Sequence, residues 1–376
     1  MIYLDNSSTT RLLPEVVEAM LPYIIEEYGN PSSKHYSLAV NAKNAVDEAR
    51  FHVAQLMGCQ PEEIIFTSGS TESNNMVLKG VMDYYADRGE HLVVSKTEHS
   101  SVMETAKYLQ SKGAKVTYLD VDRYGRIYIE KLEEIIVTER PVLVSVIWGN
   151  NEIGSLNDIV RIAKCCEGQG VFFHSDATQV LGKVNIREQG SLVHFLSCSA
   201  HKLHGPKGIG ACVIRKDRLG LKTKLTPLIH GGGQEHEYRS GTLAVHNIVG
   251  FGAAAAIALR DEEKNKHILE NLEQYLVNKL VNNFKEIIVF NSDTTNKIPG
   301  IVNVQFKGTN NELLLKKLSD KVALSTGSAC SSSKPSHVLE NIGLTLNEIR
   351  SSVRISMSHT NTVDEINAFC DVLAGK

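Results

Sequence analysis

The chain has 376 residues, of which 42% are hydrophobic and 22% charged, and its formal net charge is −3. This composition supports a normal buried core and excludes a disordered chain. No Lys/Arg block stands out, which argues against a nucleic-acid or anionic-membrane surface, and the longest near-apolar stretch, 248–259, falls short of the roughly 20 residues that span a bilayer.

The N-terminus, MIYLDNSSTT, places Asp5 where an export signal needs an apolar run, so no signal peptide is expected and the protein is read as cytoplasmic. The seven cysteines are odd in number and scattered, without a CxxC, as in a protein with reduced thiols rather than a disulfide framework or zinc ribbon. Two have evident packing roles. Cys212 sits in the strand-like GACVIR, and Cys370 shares a helical face with Ile366, Phe369 and Leu373.

In NAVDEARFHVAQLMG, Val46, Ala49, Val53 and Leu56 share one helical face. From about residue 45 to 215, helical patterns alternate with short apolar runs at 64–66, 92–95, 116–119, 142–148, 171–174, 193–198 and 211–214. Apolar runs without alternation, separated by helices, predict a mostly parallel sheet covered on both faces. The stretch 248–259 reads as a buried, Ala-rich helix. Charged helices follow to Phe284, then the strand-like EIIVFN and GIVNVQF, a helix, the small-residue segment STGSACSSS at 325–333, and a last helix. Thr362 and Glu365 give that helix a capping-box spacing. The expected fold is α/β, with a large domain over 16–257. Residues 1–15 and 258–376 form a smaller α+β domain carrying the loop 325–335.

Ligands of such sheets bind beyond the carboxyl ends of the strands, and the polar residues there converge in kind. FTSGSTESNN turns at Gly69 and opens a helix with Ser70 and Thr71, an anion site built from helix N–H groups and hydroxyls. SKTEHSS supplies His99, WGNNEIG supplies Asn150 and Asn151, HSDATQ supplies Asp176 and Gln179, and SAHKLHG supplies Ser199, His201 and Lys202. Each alone has a plain structural reading as a cap, a turn former or a solvated charge. Together they match pyridoxal phosphate (PLP), which needs a lysine for its Schiff base, an acid at its ring nitrogen and a phosphate cup. Competing motifs are incomplete. HGGG at 230–233 has no accompanying G-x-S-x-G, neither a P-loop nor a dinucleotide fingerprint occurs, and HKLH lacks further spaced zinc ligands.

The motifs YLDNSSTT, GNPSS, FTSGSTESNN, SKTEHSSV, NNEIG, HSDATQ, SAHKLHGPKGIGA, HGGGQE, RSGT and STGSAC, in this order across nearly the whole chain, resemble those of NifS/IscS-type cysteine desulfurases. These are class V, fold-type I PLP enzymes. The resemblance implies that Lys202 carries PLP, Asp176 pairs with its ring nitrogen, Gln179 faces its O3′, and His99 stacks on the ring and moves protons. It implies that Ser70, Thr71, Ser199 and His201 hold the phosphate, together with Thr242 from the second subunit of a homodimer, and that Asn151 lies by the cofactor. Arg354 would clamp the carboxylate of L-cysteine with a planar fork, with Asn151 and Asn30 nearby. Cys330 would be the nucleophile, taking sulfur as a persulfide and leaving alanine. Because a free thiol is mostly protonated at neutral pH, the resemblance makes His99 its activating group. Segment 325–333 carries no large side chain, which suits a thiol that must meet both substrate and acceptor.

The sequence departs from the family pattern at two places. ACSSSKPSHVL is shorter than the usual loop and lacks the acidic residue before Pro335, and the chain ends at Lys376, soon after its last helix. The acceptor is therefore left open among an iron–sulfur scaffold, a tRNA-thiolating enzyme, an NAD-biosynthesis protein and a DNA-phosphorothioation system. STGSAC, in place of RAGHHC, sets the chain nearer the NifS/IscS group than the SufS group. The alternative activity is that of another PLP lyase or aminotransferase on the same fold, such as a selenocysteine lyase, and a third reading is a PLP-containing scaffold that does not turn over.

Overall fold

The computed structural model describes residues 1–217, 219–327 and 335–375. In chain order its strands are β1 (Ile2–Tyr3), β2 (Ile64–Thr67), β3 (His91–Ser95), β4 (Lys115–Leu119), β5 (Leu143–Ser145), β6 (Phe172–Asp176), β7 (Phe195–Ser199), β8 (Gly210–Ile214), β9 (Ile288–Phe290), β10 (Ile301–Phe306), β11 (Val322–Ala323) and β12 (Ser352–Ser356).

Seven of them form one sheet, ordered β2-β8-β7-β6-β5-β3-β4, in which β8 alone runs against the others. Strands β2, β3, β5, β7 and β8 are buried along their whole length, as unbroken apolar runs require. The run expected over 142–148 pairs as a strand only over Leu143–Ser145. The Ile147 N–H, instead of continuing the ladder to β3, donates to the Glu98 carboxylate at 2.7 Å.

Helices cover both faces of this sheet. On one, the helices Ser37–Met57 and Val245–Arg260 pack closely. A Cβ at Gly252 would come within 2.5 Å of Ala49, so the small residues of the second helix set the approach of the two axes. Val46, Ala49, Val53 and Leu56 are all buried there, as their spacing predicts. A second, antiparallel sheet, β12-β10-β9, has its own apolar cluster, which includes Leu272, Leu276, Val304, Ile355, Ile366 and Phe369. The N-terminus joins it: β1 pairs with β11, and Asp5 bridges to Ser356. The last helix, Val363–Leu373, opens with the capping box of Thr362 and Glu365. No described helix is long and apolar enough to cross a membrane.

Candidate active site

A cavity of about 510 Å³ lies at the carboxyl edge of the seven-stranded sheet. Strand direction explains its contents. β2, β3, β5, β6 and β7 all end on this edge, so the first polar residues after each face one space.

At the end of β2 the chain turns through Gly69 (φ +153) into the helix Ser70–Tyr84. The turn is tight because Gly210 of β8 sits against it. A Cβ on Gly210 would lie 2.3 Å from the Cys198 carbonyl and 2.7 Å from the Gly69 Cα. The Ser70 N–H donates to Ser199 Oγ at 2.7 Å, and Ser199 Oγ donates to Ser70 Oγ at 3.1 Å. The ends of β2 and β7 are thereby tied around one helix N-terminus, whose first N–H groups have no intrahelical acceptor. Ser70, Thr71, Ser199 and His201 line that end of the cavity. Burial, with help from Lys202 and Lys207, pulls the His201 imidazole down to about 4, so the ring is neutral at physiological pH.

Asp176 closes β6 and is 3% exposed. Its carboxylate accepts from Asn74 Nδ2 at 2.8 Å and from the Thr178 N–H at 3.0 Å. Lys202 follows β7 and donates from Nζ to the carbonyls of Ser7 and Ser8, both at 2.6 Å. Gln179 is held at both ends of its amide: Nε2 donates to Ser7 O at 2.8 Å, and Oε1 accepts from Lys183 Nζ at 3.3 Å. Nε2 keeps a second hydrogen, so the group presents a donor. His99 caps the helix Ser100–Ser111, with Nδ1 3.2 Å from the Ser101 N–H. Burial depresses its basicity. Asp176 pulls the other way, while Lys202 and His337 add to the depression.

Arg354, on β12, is 1% exposed and reaches the same cavity. Nη1 donates to the carbonyls of Asn151 (3.1 Å) and Gly327 (2.9 Å), and Nη2 donates to Asp5 (2.6 Å) and Ser8 (2.8 Å). Nε is buried without a partner. Asn151 also lines the cavity, whereas Asn30 and Thr242 do not. Asn30 is exposed and accepts from the Ser32 N–H, and Thr242 is exposed on the surface. Cys330 lies outside the described residues. The other six cysteines are free thiols that do not line the cavity. Burial raises every one of their resolved thiol pKa values, Cys59 to about 12 and Cys165 and Cys370 to about 11.

Sequence reasoning assigned no role to several groups found here. Ser7 and Ser8 accept from Gln179 and Lys202 through backbone carbonyls, for which the side-chain pattern carries no signal, and the Ser8 hydroxyl also meets Arg354. Glu98 and Glu152 are buried carboxylic acids in the cavity wall. Burial raises Glu98 to about 8, against hydrogen bonds from Ser95 and Ile147. Burial also raises Glu152, against a hydrogen bond from Ser336 and the charges of Arg354 and His337. Gly327 (φ +115) lies directly on Glu152, and a Cβ there would come within 2.5 Å of its Oε2. Among the described residues there is no group of His, Cys, Asp and Glu that could hold a metal ion.

A class-V aminotransferase family model matches residues 2–369. The chain belongs to that family, among its NifS/IscS-type cysteine desulfurases. A cysteine desulfurase IscS of Rickettsia felis is 40% identical over 378 residues, which cover 100% of this chain and 90% of the relative. A solved NifS-like protein superimposes with a TM-score of 0.91 at 34% identity, covering 100% of this chain and 98% of the other. A second solved structure, SspA in complex with cysteine, matches with a TM-score of 0.83 at 34% identity over 96% of this chain and all of its own.

Proposed function

We propose that the protein is a PLP-dependent cysteine desulfurase that converts L-cysteine to L-alanine and collects the sulfur on Cys330 as a persulfide. One observation carries this reading: an amine (Lys202), a buried carboxylate (Asp176) and a helix N-terminus with hydroxyls (Ser70) face one cavity from the carboxyl ends of β7, β6 and β2.

The donor set fits PLP. Lys202 would hold the cofactor, and the Asp176 carboxylate, kept in place by Asn74 and Thr178, would keep a proton on the ring nitrogen. The Gln179 amide donor would face the ring oxygen. Ser70, Thr71, Ser199 and His201 would take the phosphate, with Thr242 reaching it from a second subunit. When bound, PLP supplies an electron sink for the substrate α-carbon. Arg354 binds the substrate carboxylate, with its fork oriented by Asp5 and by the carbonyls of Asn151 and Gly327. Asn151 stands beside it, and Asn30 is assigned to the substrate side by family resemblance. Lys202 moves the α-proton and His99 moves protons at the sulfur. The Cys330 thiolate attacks the substrate sulfur, so that a sulfur–sulfur bond forms, the carbon–sulfur bond breaks, and its electron pair remains with the carbon that becomes the methyl group of alanine. No outside oxidant is needed.

A homodimer is supported by the exposed Thr242 and by exposed apolar residues on the helix Pro14–Ile25, namely Val17, Leu21, Ile24 and Ile25. We read 16–257 as the large domain and 1–15 with 258–376 as the small one. The sulfur passes to an acceptor protein of the cytoplasm. The full chain, supplied with PLP and L-cysteine, should release alanine, and Lys202→Ala should not. Equal release by both would remove Lys202 from the chemistry and sink this reading.

A further inference from the structure

Asp176 and His99 stand on different strand ends, yet one hydrogen-bonded path joins them. Asn74 is fully buried on the helix Ser70–Tyr84. Its Nδ2 donates to Asp176 Oδ2 and to Ser101 Oγ, both at 2.8 Å. Chemistry sets the orientation of this amide, because the reverse orientation would press Oδ1 against a carboxylate oxygen. The chosen orientation leaves Oδ1 buried with no partner. Such an orphan is unfavourable, so the two aligned N–H groups are retained against a penalty.

Ser101 Oγ accepts one of those hydrogens and has its own to give. His99 Nδ1 lies 2.9 Å away, and the Ser101 backbone N–H points at the same nitrogen. Two donors converge on Nδ1, which therefore acts as an acceptor. We propose that Asn74 and Ser101 are positioning residues that hold His99 neutral, with its single proton on Nε2, and couple that state to the Asp176 carboxylate.

Charging His99 would place a proton on Nδ1. The Ser101 N–H would then lose its acceptor, and the Ser101 hydroxyl would have to turn away while still receiving the Asn74 hydrogen. The groups facing the ring are Asp176, which favours the charged form, and Lys202 and His337, which oppose it. Glu98 precedes it in the chain, with its carbonyl 2.9 Å from His337 Nε2. Asn74 absorbs part of the pull of Asp176 by donating to it directly. In this state Nε2 offers its hydrogen to the cavity as a hydrogen-bond donor, and His99 takes up a proton only at Nδ1, by displacing the two Ser101 donors. The proton assignment stands on the chain alone, and its use in catalysis rests on the proposed desulfurase activity.

The test is nuclear magnetic resonance of the full chain carrying nitrogen-labelled histidine, with and without added PLP. Long-range proton–nitrogen correlations report the tautomer, and the His99 signal is assigned by its loss in His99→Gln. The wild type should show the Nε2–H form through neutral pH. Ser101→Ala and Asn74→Ala should raise the His99 titration midpoint by about one pH unit, the scale of one lost hydrogen bond to the neutral form. Ser101→Thr, which keeps the hydroxyl, should restore the wild-type midpoint. An Nδ1–H form in the wild type, or a midpoint that Ser101→Ala leaves in place, overturns the proposal. The Ser101 pair decides the matter if Asn74→Ala does not fold. Absence of alanine production would refute the activity and leave this result standing.

Discussion

Lys183 is a cation placed where a cation is unwelcome. It is mostly buried behind Gln179, and burial, reinforced by the charges of Lys202 and Arg354, pulls its ammonium from 10.5 down to about 7. A lysine whose pKa is lowered in the folded state destabilises the fold most at pH below 7, and the cost fades as pH rises toward 10.5. A shift of this size corresponds to roughly 5 kcal/mol if fully expressed. The side chain keeps partial exposure, and with solvent screening about half of that, on the order of 2–3 kcal/mol, should operate. Lys183→Met should therefore raise the melting temperature by about 3 °C at pH 6.5, given the unfolding entropy of a chain this long, and by almost nothing near pH 10. The same substitution removes the donor that fixes Gln179 Oε1, so PLP affinity should fall while stability rises. Calorimetry of both proteins across pH, with PLP titrations alongside, checks the two halves. A stability gain independent of pH, or no gain at pH 6.5, would refute the buried-charge argument.

Glu98 invites the converse experiment. Its carboxyl is held near 8, above the unfolded value, so its contribution is favourable below about pH 4.5 and is lost as pH climbs through 8. Glu98→Gln keeps acceptors for Ser95 and Ile147 and should flatten that loss, with a denaturant midpoint equal to wild type at pH 4.5 and higher at pH 8.5. For Arg354→Lys, the planar fork that meets Asp5, Ser8, Asn151 and Gly327 is replaced by a point charge. Steady-state kinetics should give a KM for L-cysteine raised by about 30-fold or more, the scale of roughly 2 kcal/mol from charged hydrogen bonds, with a smaller fall in kcat. An unchanged KM would remove Arg354 from substrate binding.

The large sheet was legible because most of its strands are buried on both faces and so read as unbroken apolar runs. The site was legible for the same reason: where the strands end, polarity begins, and Ser70, His99, Asn151, Asp176 and Lys202 stand at those transitions. What the sequence hid depends on distance along the chain. Two partners of Lys202 are backbone carbonyls nearly 200 residues away at Ser7 and Ser8, and the counterion of Arg354 is Asp5 at the opposite end of the chain. Burial is equally silent in sequence. Glu98, Glu152 and Lys183 look like ordinary surface charges until the packing around them is known. Apolar character alone extends the strand ending at Ser145 as far as residue 148, whereas the Glu98 carboxyl group takes the Ile147 N–H.

The central claim is that Cys330 is the sulfur-accepting nucleophile, and it is tested by giving PLP and L-cysteine to wild type and to Cys330→Ser side by side. Alanine and protein persulfide are then measured. The account predicts alanine and a persulfide on Cys330 from the wild type and neither from the variant. Equal alanine from both proteins would contradict it and point to a lyase or transaminase that works without this thiol.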